Sequence, residues 1–179
     1  MADGHWDDDG CGMPIDSPTY VAPNDQDLLL TDVTETELYG SVGELLGVQY
    51  LSSAQHLARE PVVQGIVFGQ NKRLMVNLLC KRKSAAAWVN TIFLVDTGSP
   101  YTYLAASAID ALTGNSANNI CKTLNVLVHS ESICVECHPS PQDKHFKDVN
   151  VLGMEAMAKL NFSKFDIDFA ANEFTIQFA

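Results

Sequence analysis

A chain of 179 residues with 46% hydrophobic content can bury one full core with an appendage but is too short for two large lobes. Its formal net charge of −11 argues against nucleic acid as a partner, because phosphate binding needs clustered Lys and Arg. No run of about 18 apolar residues exists to span a bilayer.

Residues 1–33 read as an acidic, disordered tail, rich in Asp, Gly and Pro and poor in large apolar side chains. The start, Met1-Ala2-Asp3-Gly4-His5, lacks the basic and apolar regions of a secretory signal, so a cytoplasmic location is expected. Five cysteines, Cys11, Cys80, Cys121, Cys134 and Cys137, are an odd and sparse set, unlike the framework of a small secreted scaffold. Free thiols are expected.

Residues 34–59 read as a helical segment. Thr34-Glu35-Thr36-Glu37 has the form of a capping box, and Leu38, Val42, Leu45 and Leu46 follow at helical spacing, predicting a helix over 35–46. Gly40, Gly43 and Gly47 weaken it. From Pro61 short apolar runs alternate with turn residues, which predicts an all-β domain over 60–179 with one or two short helices. The break in composition there makes an activation or docking segment one reading of what precedes it.

Strands are predicted over 62–68, 74–80 and 88–95, then a short helix over 105–112 stopped by Gly114. Residues 124–128 and 133–135 read as a hairpin about Ser130-Glu131-Ser132. A second short helix opens at Gly153. Phe165, Ile167 and Phe169, then Phe174, Ile176 and Phe178, alternate strictly and predict a terminal hairpin with one apolar face. The basic groups Lys72-Arg73 and Lys81-Arg82-Lys83 adjoin strand-like runs and read as solvated turns or guarded edges.

The chemistry centres on Asp96. The apolar run Ile92-Phe93-Leu94-Val95 feeds straight into Asp96-Thr97-Gly98-Ser99. A buried strand that ends on a carboxylate must hydrogen-bond or neutralise that charge. Gly98 lets the chain turn back, while Thr97 and Ser99 bring hydroxyls and backbone N–H groups to the carboxylate. An Asp that merely caps the following turn is the plainer alternative.

Val95-Asp96-Thr97-Gly98-Ser99 resembles the active-site turn of retropepsins, the retroviral and retrotransposon aspartic proteases. Asn150-Val151-Leu152-Gly153, followed by a helix, resembles the family's second signature, and the terminal hairpin sits where such domains keep closing strands. The resemblance implies a closed, barrel-like acid protease fold. It also implies hydrolysis of a peptide or polyprotein substrate by water, without metal or cofactor. Asp96 would be the catalytic residue, supported by Thr97, Gly98 and Ser99, with Tyr103, Leu104, Leu152 and Gly153 as substrate-pocket candidates. With one Asp-Thr-Gly in a short chain, the carboxylate pair requires a homodimer. Retropepsins place a flap hairpin after the turn. Here only about 25 residues separate Pro100 from Leu124, and they read as helical or polar, so a short or missing flap is expected. Pro100 and Tyr101 also depart from the small, polar pair common in the family. A domain that keeps the fold only for dimerisation or peptide binding is the alternative.

Cys134-Val135-Glu136-Cys137-His138 has the form of a c-type haem attachment motif, and Cys134, Cys137 and His138 with His145 make four candidate zinc ligands. On a strand, however, Cys134 and Cys137 point to opposite faces, and two prolines separate the histidines.

Overall fold

The computed structural model describes residues 32–54, 61–114, 123–143 and 146–179. The tail expected over 1–33 lies almost wholly outside them. Thr34 caps the first helix as its sequence implies: its hydroxyl accepts from the Thr36 N–H, and Glu37 accepts from the Thr34 N–H at 2.7 Å. The single helix expected over 35–46 is two, α1 (Glu35–Tyr39) and α2 (Ser41–Leu46). Gly40 breaks it, with φ −103° and ψ −113°. Gly47 ends α2 in the left-handed region, where glycine carries no steric penalty.

The strands are β1 (Ser53–Ala54), β2 (Val62–Phe68), β3 (Arg73–Lys81), β4 (Trp88–Val95), β5 (Thr102–Leu104), β6 (Leu124–Val128), β7 (Cys134–Pro139), β8 (Asn150–Leu152), β9 (Phe162–Asp168) and β10 (Glu173–Phe178). Helix α3 (Ala106–Thr113) follows β5, and α4 (Met154–Lys159) follows β8. The fold is mostly β, with a few short helices. Six strands close a barrel in the order β3-β4-β8-β5-β7-β6, with β6 returning to β3. β3 serves two neighbours on one side because it is long: Arg73 to Val76 pair with β2, while Cys80 and Lys81 pair with β6. Beyond β2 the sheet continues through β10 to an edge at β9. None of the described helices is long and apolar enough to cross a membrane.

Side-chain alternation sorts the core into two clusters. Val76, Leu78 and Cys80 of β3, with Val89, Phe93 and Val95 of β4, face the main core. Met75, Ile92 and Leu94 face the other way, onto Val33, Leu38, Val42 and Tyr50 of the N-terminal segment. β4 is therefore buried on both faces, which explains its near-continuous apolar text. The helical segment and the strands share a core, and the described residues fall in one unit spanning Thr31–Ala179.

The terminal hairpin forms with its apolar residues in cross-strand pairs, Ile167 opposite Phe174 and Phe165 opposite Ile176. Its two strands differ in burial. Phe174, Ile176 and Phe178 are buried, whereas Phe165 and Ile167 on the edge strand remain 36% and 37% exposed because no described element covers them.

Gly65 of β2 lies opposite Phe174, whose ring covers it. A Cβ there would come within 2.2 Å of the ring and 2.8 Å of the Met75 carbonyl oxygen. Gly65→Ala should lower the unfolding free energy by about 1 to 3 kcal/mol in urea titrations. Adding Phe174→Leu should return part of that loss, since a smaller side chain admits the methyl group.

Candidate active site

Asp96 stands where β4 leaves the barrel. β4 runs parallel to β8, with Phe93, Leu94 and Val95 opposite Asn150, Val151 and Leu152. The next step of the ladder is the Asp96 N–H, which donates to the Leu152 carbonyl at 3.1 Å. On the other side of β8, Tyr103 of β5 pairs antiparallel with Val151. Asp96, Gly153 and Tyr101 therefore meet at one level across three neighbouring strands.

The turn is held by its own backbone. Asp96 Oδ1 accepts from the Gly98 N–H at 2.9 Å, and the Asp96 carbonyl accepts from the Ser99 N–H at 3.2 Å. A Cβ on Gly98 would press to 3.2 Å from that same Oδ1. The Ser99 hydroxyl, expected beside the carboxylate, instead donates to the Tyr101 carbonyl at 2.7 Å and braces the chain after the turn. From below, the first amides of α4 donate to the turn: Met154 N–H to the Ser99 carbonyl at 2.8 Å and Glu155 N–H to the Pro100 carbonyl at 3.1 Å. These are helix N-terminal donors that no helical carbonyl can satisfy, so the turn and α4 complete each other.

Gly153 lies where the two segments touch. Its N–H donates to Thr102 Oγ1 at 3.2 Å, and a Cβ would fall 2.1 Å from the Tyr101 carbonyl oxygen and 2.9 Å from that of Ser99. Only a residue without a side chain lets β8 and the turn approach this closely. Its φ of −93° is ordinary, so crowding and not conformation demands glycine.

Of the residues expected to line a pocket, Leu104 and Leu152 are fully buried in the barrel core, because their positions alternate inward. They form the floor behind the turn and present no surface to a ligand. Gly153 is also buried. Tyr103 is half-buried and in register with His138 of β7, whose ring lies 5.7 Å from that of Tyr103 and 5.1 Å from that of Tyr101. Tyr101 itself is exposed. Asp96 and Ser99 are half-buried, and Thr97 and Gly98 are exposed.

Beside the turn lies an apolar cavity of about 260 Å³ lined by Val95, Thr97, Met154, Met157, Phe162 and Phe165. A wider hollow of about 470 Å³ over the β9–β10 hairpin is lined partly by Asp166, Asp168 and Glu173 and touches no residue of the turn. Between Ser99 and β6 the described residues form β5 and α3 and no hairpin, while residues 115–122 lie outside them.

The Cys134-x-x-Cys137-His138 motif lies on β7. Cys134 is exposed and Cys137 buried, so the two thiols face opposite sides of the strand. His145 lies outside the described residues. Lys81, the first of the basic run, is committed locally, with its ammonium 2.9 Å from Glu131 and over the Trp88 ring at 4.8 Å.

Two residues of this neighbourhood were not named as site residues in the sequence reading, Tyr50, which gave no signal, and Asn150, which entered only as the first residue of the Asn150-Val151-Leu152-Gly153 segment. Asn150 is fully buried on β8 and Tyr50 is buried beside it, joined by a hydrogen bond of 2.8 Å. A polar Asn opening the apolar run Val151-Leu152 was the available clue.

No protein-family model matches the chain, and no curated protein matches it. Among solved structures, the chain is similar to a retropepsin-like aspartic protease from Rickettsia conorii. The two are 20% identical over 71% of this chain and 94% of that one, with a TM-score of 0.44.

Two outcomes test this geometry. Gly153→Ala should cost about 3 kcal/mol of stability, measured by chemical denaturation, because a backbone carbonyl and not a flexible side chain blocks the methyl group. Burial pushes the Cys80 thiol up to about 12 and Cys137 well above the usual thiol value. Both therefore stay protonated at pH 8. Peptide mapping of the native protein after brief iodoacetamide treatment should show Cys134 alkylated, with Cys80 and Cys137 unmodified until denaturant is added.

Proposed function

We propose that this chain is an aspartic endopeptidase of the retropepsin type, working as a homodimer in which Asp96 of each subunit supplies one carboxylate. The observation that carries the reading is the seat of Asp96. It is a half-buried carboxylate on an Asp-Thr-Gly turn, fixed by the Leu152 carbonyl, the Gly98 N–H and the first amides of α4. A turn pinned at so many backbone points keeps the carboxylate in place during a reaction, as preorganised catalysis requires.

Two carboxylates about 3 Å apart cannot both ionise, so the pair shares one proton. The protonated member donates to the scissile carbonyl oxygen, while the ionised member takes a proton from water, whose oxygen bonds to the carbonyl carbon. The member that took the water proton then passes it to the leaving nitrogen, while the other recovers a proton from a hydroxyl of the tetrahedral intermediate. The C–N bond breaks to release an amine and a carboxylic acid.

The single Asp-Thr-Gly turn supports the homodimer, since the site is incomplete in one subunit. So do the exposed Met154 of α4 and Phe165 of β9, which line the apolar cavity that adjoins Thr97. Tyr101 and Tyr103 flank the turn as the side chains a peptide would meet.

Asp96→Asn should lower peptide cleavage at acidic pH by at least about a hundredfold, while the urea midpoint stays where it was. The wild-type protein should bind a transition-state mimic of aspartic proteases and sediment at twice 19.5 kDa. Undiminished cleavage by the mutant would overturn the assignment. A stable monomer that binds no such inhibitor would favour a peptide-binding module without catalysis.

A further inference from the structure

The β4–β8 ladder that sets the height of Asp96 is only three residue pairs long, and β8 meets β5 at a single pair. Strands this short have little register of their own. The Asn150 side chain supplies what the backbone lacks. Its Oδ1 accepts from the Ala105 N–H at 2.9 Å, where β5 leads into α3. Its Nδ2 donates to the Ile92 carbonyl of β4 at 2.9 Å and to the Tyr50 hydroxyl at 2.8 Å. One buried amide thus ties β4, β5 and β8 together, and both of its donor hydrogens are used.

The last of these bonds comes from outside the barrel. Tyr50 is 1% exposed and sits in the second cluster with Val33, Leu38 and Val42. Its ring packs edge-on against Tyr39 of α1 at 5.0 Å, and its hydroxyl also interacts with Ser107 of α3. The segment around it is fastened at both ends. Asp32 pairs with Arg73 at 2.8 Å, and Leu51 and Ser52 exchange backbone hydrogen bonds with Asn90 of β4.

We infer that Tyr50 is a positioning residue for the Asp96 turn: residues 32–54 form a strap across β4 that holds β8 in register through the Tyr50–Asn150 hydrogen bond. What the turn does rests on the peptidase reading above; that the strap sets its geometry does not. Without the Tyr50 hydroxyl one Nδ2 hydrogen of Asn150 is left unpaired in an apolar core, and the amide must shift or strain to recover a partner. The shift is passed along β8 to Leu152 and Gly153, which touch the turn directly. The segment is thereby part of the site's support and not a detachable leader to it.

The test is Tyr50→Phe in the full chain, which keeps the ring and its packing and removes only the hydroxyl. Peptide-resolved amide exchange should accelerate about fivefold in segments covering 96–99 and 150–154, the effect of one net hydrogen bond. Amides of β2 and β10, on the far side of β3, should keep their wild-type rates. In cleavage assays kcat should fall by a similar factor with KM unchanged. Equal acceleration across both regions, or none at 96–99, would overturn the inference by reducing Tyr50 to general packing or to no role. Exchange decides the matter even if the wild-type protein cleaves no peptide, an outcome that would instead remove the peptidase reading.

Discussion

The parallel contact between β4 and β8 is the constraint on which the rest depends. It closes the barrel between the strand that delivers Asp96 and the short strand that ends at Gly153. Parallel pairing cannot be made by a tight hairpin, so the chain must travel through β5, α3, β6 and β7 before β8 returns beside β4. Everything between 96 and 150 is, in that sense, the connection that brings Gly153 to Asp96. Once there, the α4 amides meet the Ser99 and Pro100 carbonyls, and Gly153 admits the Tyr101 carbonyl.

So short a contact needs outside support, and it comes from two directions. The barrel interior presses Phe93, Val95 and Leu152 together from within. The N-terminal segment covers Ile92 and Leu94 from without and reaches the ladder itself through Tyr50 and Asn150. β4 is consequently the most enclosed strand of the fold, while β9 is the most open. The contrast has a simple origin: β4 has strands on both sides and a layer over each face, whereas β9 has one strand neighbour among the described residues. Along β9, Lys164, Asp166 and Asp168 alternate with Phe165 and Ile167. Charge on one face guards the edge against indiscriminate pairing while the other face stays apolar.

Much of this was legible in the residues. The strands at Val62–Phe68 and Trp88–Val95 announced themselves by mostly apolar text, as did α3 and α4 by a following or preceding glycine. The capping box at Thr34 and the Asp-Thr-Gly turn at the end of β4 were equally plain, because each is a local pattern whose physical reason lies within a few residues. β5 and β1 were not, since three and two residues are too few for a period to show. The break of the first helix at Gly40 was foreshadowed only as a weakness. Nor did alternation along the terminal hairpin reveal that its β10 half is covered and its β9 half open, which depends on which strand takes the sheet edge.

By itself, then, the sequence determined most of the elements and the position of the Asp-Thr-Gly turn at the end of β4. Tertiary structure alone decided that Gly153 must be glycine for want of space, that Leu104 and Leu152 face the core, and that the Ser99 hydroxyl braces Tyr101. It also decided that Tyr50, 46 positions before Asp96, accepts a hydrogen bond from Asn150 of the strand beside β4. The physical reason is distance along the chain: local patterns record what a residue does to its neighbours in sequence. Crowding at Gly153 and the bonds of Asn150 arise between segments up to 100 residues apart, which meet only when the barrel closes.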